Sequence, residues 1–283
     1  MKKRKEKVLI EFEIEYDEVE WAGGWIPKTV YKYRNWENPN HRKILEELSI
    51  WVPDSYDFND PFDCNIPVAF DLISTDDVLA EKFIRRLIEA NKHRIPGDIE
   101  SEIKKRLDEN KHKNPYFVAK YKEDLLQANK EVSGVFSVTP INNNILMWSH
   151  YANSHKGLCI GFDSVKLFEY LGGGGKINYT KDYPIISPIE TRETQYLLQV
   201  LTKSIHWSYE AEYRLTTFQK TNININIPPE VIVEVIFGAR MPIGDKIKIK
   251  NLLKNNLPDV KCFSAIPDNN SFKINIVPES NNI

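Results

Sequence analysis

The chain has 283 residues, of which 41% are hydrophobic and 28% charged, too apolar a mixture for a disordered polymer. Its 38 Lys and Arg against 40 Asp and Glu leave a formal net charge of -2, so no global basic field would draw nucleic acid or an anionic membrane to it. Cys64, Cys159 and Cys262 are dispersed and form no CxxC pair, which argues against both a disulfide framework and a zinc knuckle.

The basic start, Met1 to Lys7, leads into Val8 to Tyr16, where apolar residues alternate with Glu11, Glu13 and Glu15. That pattern predicts an amphipathic strand rather than an uncharged leader core, and no apolar run is long enough to span a membrane. A cytoplasmic protein with no membrane partner is the expectation. Trp21 to Trp25, with two central glycines, should break the strand, and β-branched and aromatic Thr29 to Arg34 predicts the next one. Pro39 suits the first turn of a short helix, and Ser49 to Pro53 a short strand. Asp54 to Asp63 has the Asp, Asn and Pro content of a loop.

Between Asp76 and Lys130, Val78, Leu79, Phe83, Leu87 and Ile88 recur three or four apart among charges, and Tyr116 to Gln127 behaves likewise. With Pro96-Gly97 and Pro115 as breaks, 76–130 reads as a helical insertion within a single α+β domain covering 1–283. Its default role is scaffold or partner surface.

Val132 to His155 then runs for 24 residues without one Asp, Glu, Lys or Arg, yet it is rich in Ser, Thr, Asn and His. Such a stretch suggests a polar, enclosed centre. It parses as a strand over Gly134 to Thr139, Asn144 as a helix N-cap, a helix over Ile145 to Ala152, and a strand over Gly157 to Phe162. Gly172 to Gly175 lacks the residues of a phosphate cradle and reads as a flexible loop. Glu190 to Ser204 predicts a helix, Tyr209 to Thr217 a strand, Val231 to Phe237 a buried strand and Ile243 to Leu253 a helix. Strands over Val260 to Ser264 and Phe272 to Val277 flank the turn at Pro267. The mixed alternation predicts an α+β fold with a mixed or antiparallel sheet.

Chemistry concentrates in Trp207 to Leu215, where a strand would put Glu210, Glu212 and Arg214 on one face. Such a face is either a solvated edge in which Arg214 screens the acids or the wall of a cleft. In a cleft, one carboxylate can stabilise an oxocarbenium-like ribose while the other positions a nucleophile. His150 and His155 are the only clustered histidines; their spacing is a poor metal pattern, and His150 reads better as a hydrogen-bonding residue or a satisfied core histidine. Trp148 and Tyr151 read as packing residues. Asn59 and Asp60 belong to a stiff turn or to a functional loop, and Arg34 is a surface charge or an anion clamp. No nucleophile elbow, Rossmann fingerprint or Walker sequence is present.

Tyr31 to Arg34, Phe58 to Asp63, Val135 to Ser137, Met147 to Ala152 with His155 to Gly157, and Trp207 to Leu215 together resemble a bacterial family known as domain of unknown function 2971. The order of an arginine on an early strand, a serine in a central strand and a late E-x-E more distantly resembles the R-S-E pattern of mono-ADP-ribosyltransferases. That resemblance implies a split mixed sheet with NAD in its cleft as substrate. It further implies Arg34 and Ser137 as cofactor-binding residues; Asn59, Asp60 and Tyr151 are further cofactor-binding candidates that lie outside the pattern. Glu212 would hold the nicotinamide ribose and Glu210 the acceptor; His150 has no direct place in the pattern and is kept beside them as a third catalytic candidate, and Ser137-Val-Thr139 departs from the family's usual Ser-Thr-Ser. The acceptor, a protein or a nucleic acid, is not named by the sequence, which also leaves open a role in phage defence, as a toxin or in housekeeping modification. Two other readings stand beside it: a metal-assisted hydrolase or nuclease using His150, His155, Asp60 and Asp63, and a non-catalytic module whose helices bind a protein partner.

Overall fold

The computed structural model describes residues 16–55, 58–94, 97–130, 133–218 and 220–279. The strand expected over Val8 to Tyr16 lies outside these residues but for its last. The first described elements are a hairpin, β1 (Glu18–Trp21) and β2 (Gly24–Pro27), closed by Ala22 and Gly23 at positive φ. The glycine pair therefore turns one strand back on another rather than simply ending it. β3 (Thr29–Arg34) follows, then α1 (Pro39–Glu46), whose N-cap Asn38 accepts from the Asn40 N–H at 2.9 Å, and β4 (Ser49–Val52).

After the Asp-rich loop come α2 (Leu72–Thr75), α3 (Asp77–Ala90), α4 (Ile99–Asp108) and α5 (Pro115–Lys130). They gather an apolar cluster around Phe70, Phe83, Ile84, Ile88 and Ile103. Ile66 before the helices and Ile186 after them join it, so this cluster draws on residues outside 76–130. Ring pairs Phe70–Phe83, Phe70–Tyr121 and Phe83–Tyr121 meet edge to face at 5.0–5.9 Å, a favoured aromatic geometry.

β5 (Ser133–Val138), α6 (Ile145–Tyr151), β6 (Leu158–Asp163), α7 (Ser164–Leu171), β7 (Gly174–Lys176) and β8 (Asn178–Thr180) come next. The tetraglycine is no loose loop. Gly172 and Gly173, at φ +93° and +101°, end α7, and Gly174 begins an edge strand pressed so close to the Arg214 and Leu215 backbone that no side chain fits. α8 (Arg192–Val200) is shorter than the helix expected over Glu190 to Ser204, because the chain turns into β9 (Thr202–Ser204), which pairs in parallel with β8. β10 (Tyr213–Phe218), β11 (Ile223–Asn226), β12 (Ile232–Phe237), α9 (Ile243–Asn256), β13 (Lys261–Pro267) and β14 (Ile274–Pro278) complete the order.

The result is an α+β architecture. Five strands form a mixed sheet in the order β14-β13-β12-β6-β3, in which only β12 and β13 are parallel. A second, antiparallel sheet runs β5-β10-β7. β3 and β5 meet through a single bridge at Tyr31 and Thr139, whose backbones exchange hydrogen bonds of 2.7 and 3.0 Å. No backbone pairing among the described residues continues it towards Arg34 and Ser137, so the two sheets part at a seam. The main core, built on Phe136, Phe162, Phe168, Leu215 and Phe237, lies between the sheets and α7 and α9. Among the described residues no helix is long and apolar enough to cross a membrane.

Candidate functional site

A cleft of about 200 Å³ opens where β3 and β5 part, lined by Tyr31 to Arg34, Ser137 to Thr139, Met147 and Tyr151 of α6, Phe58, Asn59, Asp63, Lys203, Glu210, Glu212 and Arg214. Each side chain arrives for a local reason. Gly157 packs against the Arg34 carbonyl at a distance that admits no Cβ, which lets β6 hold the end of β3. Asn144 caps α6 by accepting from the Leu146 and Met147 N–H groups at 2.9 and 3.1 Å, and its amide donates to the Tyr209 carbonyl at 3.0 Å. That bond ties the start of α6 to the segment carrying Glu210.

The two glutamates do not share a strand face. Ile205–Glu210 is a 3₁₀ turn, Ala211 sits at φ +43°, and β10 starts only at Tyr213. Strand alternation is thus replaced by a left-handed residue, which costs an alanine about 1–2 kcal/mol and turns both carboxylates towards one cation. The Lys203 ammonium lies 2.6 Å from Glu210, 2.9 Å from Glu212 and 3.5 Å from Asp63. Arg214 spans the other side: its Nε donates to Glu212 at 2.8 Å, one terminal nitrogen to Asp63 at 2.7 Å, and the other to the Val200 carbonyl at 2.6 Å. All five of these charged residues are buried, Arg214 completely. The solvated-edge alternative is therefore corrected: β10 is the central strand of its sheet, and Arg214 is an interior cation.

This network sets the protonation states. Burial opposes the Glu212 charge, but Arg214 and Lys203, together with hydrogen bonds from Arg214 and the Ser137 hydroxyl, hold its carboxyl far below the usual range. Burial likewise opposes the Lys203 charge, and Glu212, Glu210 and Asp63 outweigh it. Glu210 moves upward, because burial and the Glu212 charge exceed what Lys203 returns; its other oxygen accepts from the Tyr151 hydroxyl at 2.6 Å. On the opposite wall the cations have no carboxylate partner among the described residues. The Lys32 ammonium reaches the Ser137 carbonyl, and burial with the nearby Arg34 charge pushes its pKa well down. The Arg34 Nε is buried with no hydrogen-bond partner, and burial lowers the guanidinium to about 10. Among the described lining residues four cations face three carboxylates, and two of those cations have no carboxylate partner.

Arg34, Ser137, Asn59, Tyr151, Glu210 and Glu212 thus surround one cleft. Asp60 does not line it: one carboxylate oxygen accepts from the Phe62 N–H at 2.9 Å and the other from the Trp207 indole at 2.6 Å, fixing the loop. His150, expected to be catalytic, does not line the cleft either: it is exposed, with its Nδ1 3.2 Å from the Tyr209 hydroxyl. Tyr151 packs and also holds Glu210. His155 stacks on Trp148, Asp63 binds Arg214, and no group of three or more His, Cys, Asp or Glu among the described residues is gathered to hold a metal. The proposed quartet His150, His155, Asp60 and Asp63 is thereby dispersed over separate partners. Sequence reasoning missed Lys203, which sits at the end of a segment read as helix. It also missed the interior place of Asp63, whose only signal was its position in the Asn59 to Asp63 loop.

Residues 147–215 match the family model of Protein of unknown function (DUF2971), a description that carries no activity. The matched segment runs from within α6 into β10 and contains Lys203, both glutamates and Arg214, in keeping with the resemblance drawn from Met147 to Ala152 and Trp207 to Leu215. Comparison with curated proteins and with solved structures gives no match.

Proposed function

We propose that the cleft binds NAD and breaks the bond between nicotinamide and ribose, passing ADP-ribose to an acceptor in the manner of a mono-ADP-ribosyltransferase. The observation that carries this reading is the meeting of Arg34, Ser137, Glu210 and Glu212, from three separated segments, around one seam between two sheets. In this reading the C1′–N1 bond breaks with its electron pair leaving on neutral nicotinamide. The positive charge left on the ribose is stabilised by the ionised Glu212, and a nucleophile then donates a pair to C1′ and releases its proton. A carboxylate fixed in advance by Arg214 and Ser137 suits that task, because it needs no reorganisation when charge develops. Glu210, nearer to taking up a proton and steadied by Tyr151, suits the role of orienting the incoming nucleophile.

One observation favours a second reading. Lys203 lies between the glutamates and already satisfies both, an arrangement fit for binding a nucleotide without cleaving it. Ligand-observed NMR of NAD separates the two. Under the first reading the wild-type protein broadens the NAD signals and frees nicotinamide over hours, and Glu210→Gln keeps the broadening while transfer to an acceptor falls. Glu212→Gln should abolish nicotinamide release, but it also removes a counter-charge from buried Arg214, so its folding must be verified by circular dichroism. Broadening with no nicotinamide in any condition selects the second reading, and the absence of broadening removes both.

A further inference from the structure

Beside the cleft lies a groove of about 510 Å³ that shares Lys32, Arg34, Phe58 and Ser137 with it. Its remaining lining includes Asn38, Asn40, His41 and Lys43 of α1, Trp51 of β4 and Asn224 of β11. Not one Asp or Glu is among its described lining residues. In a protein of net charge -2 this is a local concentration of positive charge, formed by Lys32 and Arg34, which have no carboxylate partner among the described residues, together with Lys43. The start of α1 adds only the positive end of its helix dipole, because Pro39 has no N–H and the N–H groups of Asn40, His41 and Arg42 already donate to Asn38. His41 is fixed as a donor: its Nδ1 accepts from the Asn35 N–H at 3.2 Å, which leaves the proton on Nε2.

The far wall has a different chemistry. Trp51 and Asn224 are direct cross-strand partners in the β4–β11 pair and both line the groove. Trp51 is 41% exposed, and its indole has no ring partner among the described residues. An indole face beside an amide provides a stacking surface and an edge that can hydrogen-bond, the pair of contacts that a planar heterocycle uses. The first cleft alone, at about 200 Å³, is smaller than the usual 300–1,000 Å³ of a ligand pocket and has room for only one end of a dinucleotide.

We infer that this groove seats the adenosine diphosphate half of the dinucleotide, with phosphates against Arg34, Lys32, His41 and the start of α1, and adenine against Trp51 and Asn224. The assignment rests on the NAD reading for the other half, yet it makes its own demand: ADP, which has no nicotinamide, must bind. The experiment is a calorimetric titration of ADP, and of ribose 5-phosphate, onto the full chain and its Trp51→Ala, Asn224→Ala and Lys43→Gln variants, with NAD turnover followed in parallel. Expected are ADP binding to wild type, competition with NAD, weaker binding of ribose 5-phosphate, and a loss of roughly tenfold in ADP affinity in Trp51→Ala. Exposed Trp51 and Asn224 make misfolding a minor concern, and either variant alone reads the adenine wall. No ADP binding to wild type, or ADP binding unchanged in all three variants, overturns the groove. Nicotinamide release with an unchanged KM in Trp51→Ala and Lys43→Gln would overturn it while leaving cleavage standing. Trp51-dependent ADP binding without nicotinamide release would keep the groove and remove cleavage.

Discussion

Arg214 shows how a single buried side chain can organise a site. Completely enclosed, it contacts Glu212, Asp63, the Val200 carbonyl and the Cys64 sulfur, so it joins three separated segments at one point. A buried ion pair gives up hydration and regains it only through such geometry, and losing one partner leaves the other charge stranded. Arg214→Met should therefore cost about 3–5 kcal/mol in urea denaturation, whereas the exposed pair partner change Lys120→Ala should cost under about 1 kcal/mol. His41 gives a second test through pH. Burial and the neighbouring Arg34 and Lys32 charges lower its pKa to about 4. The unfolded chain takes up a proton below pH 6.5 that the folded chain refuses until near pH 4, so stability falls as pH drops through that window. The melting temperature of wild type minus that of His41→Gln should fall as pH is lowered from 7 to 4.5, and parallel curves would show that His41 does not supply the dependence.

At the level of elements, the short α6 and the 3₁₀ turn before β10 act as a pair. Asn144 belongs to both through its cap and its bond to the Tyr209 carbonyl, and Tyr151 at the far end of α6 holds Glu210. Asn144→Ala should destabilise the protein by about 1–2 kcal/mol and speed amide exchange in both elements together; exchange confined to α6 would argue against the coupling. Ala211 is the hinge of the second element. A β-branched side chain is poorly tolerated at its φ of +43°, so Ala211→Val should cost about 2 kcal/mol or more and lower nucleotide affinity, while Ala211→Gly should fold normally. The strand expected over Tyr209 to Thr217 failed at this point. An E-x-E-x-R pattern fits strand alternation, but the pattern contains no sign that Lys203 would draw both acids inward or that Tyr209 would be held by Asn144.

Across the whole molecule, the two largest of four apolar clusters among the described residues divide the labour. One lies between the sheets beneath the seam, and the other joins α2 to α5 with Ile66 and Ile186. Phe70 is central to the second and distant in sequence from the cleft residues of β3 and β5. Phe70→Ala should cost about 3–5 kcal/mol yet leave ADP affinity unchanged at temperatures where the protein is folded. A parallel loss of affinity would make the helical cluster part of the site's support. The sequence by itself determined the elements whose signals are local. The aromatic and β-branched run of β3, the proline opening α1, the Asn144 cap and the apolar β12 are all read from neighbours within a few residues. It also marked Arg34, Ser137, Glu210 and Glu212 through their types and order. Only the tertiary structure decided that these four meet, that Lys203 and Asp63 join them, and that Lys32 and Arg34 have no carboxylate partner among the described residues. Those outcomes depend on which distant charges share a low-dielectric space, because burial and pairing, not residue type, set whether a charge is neutralised or left to attract a ligand.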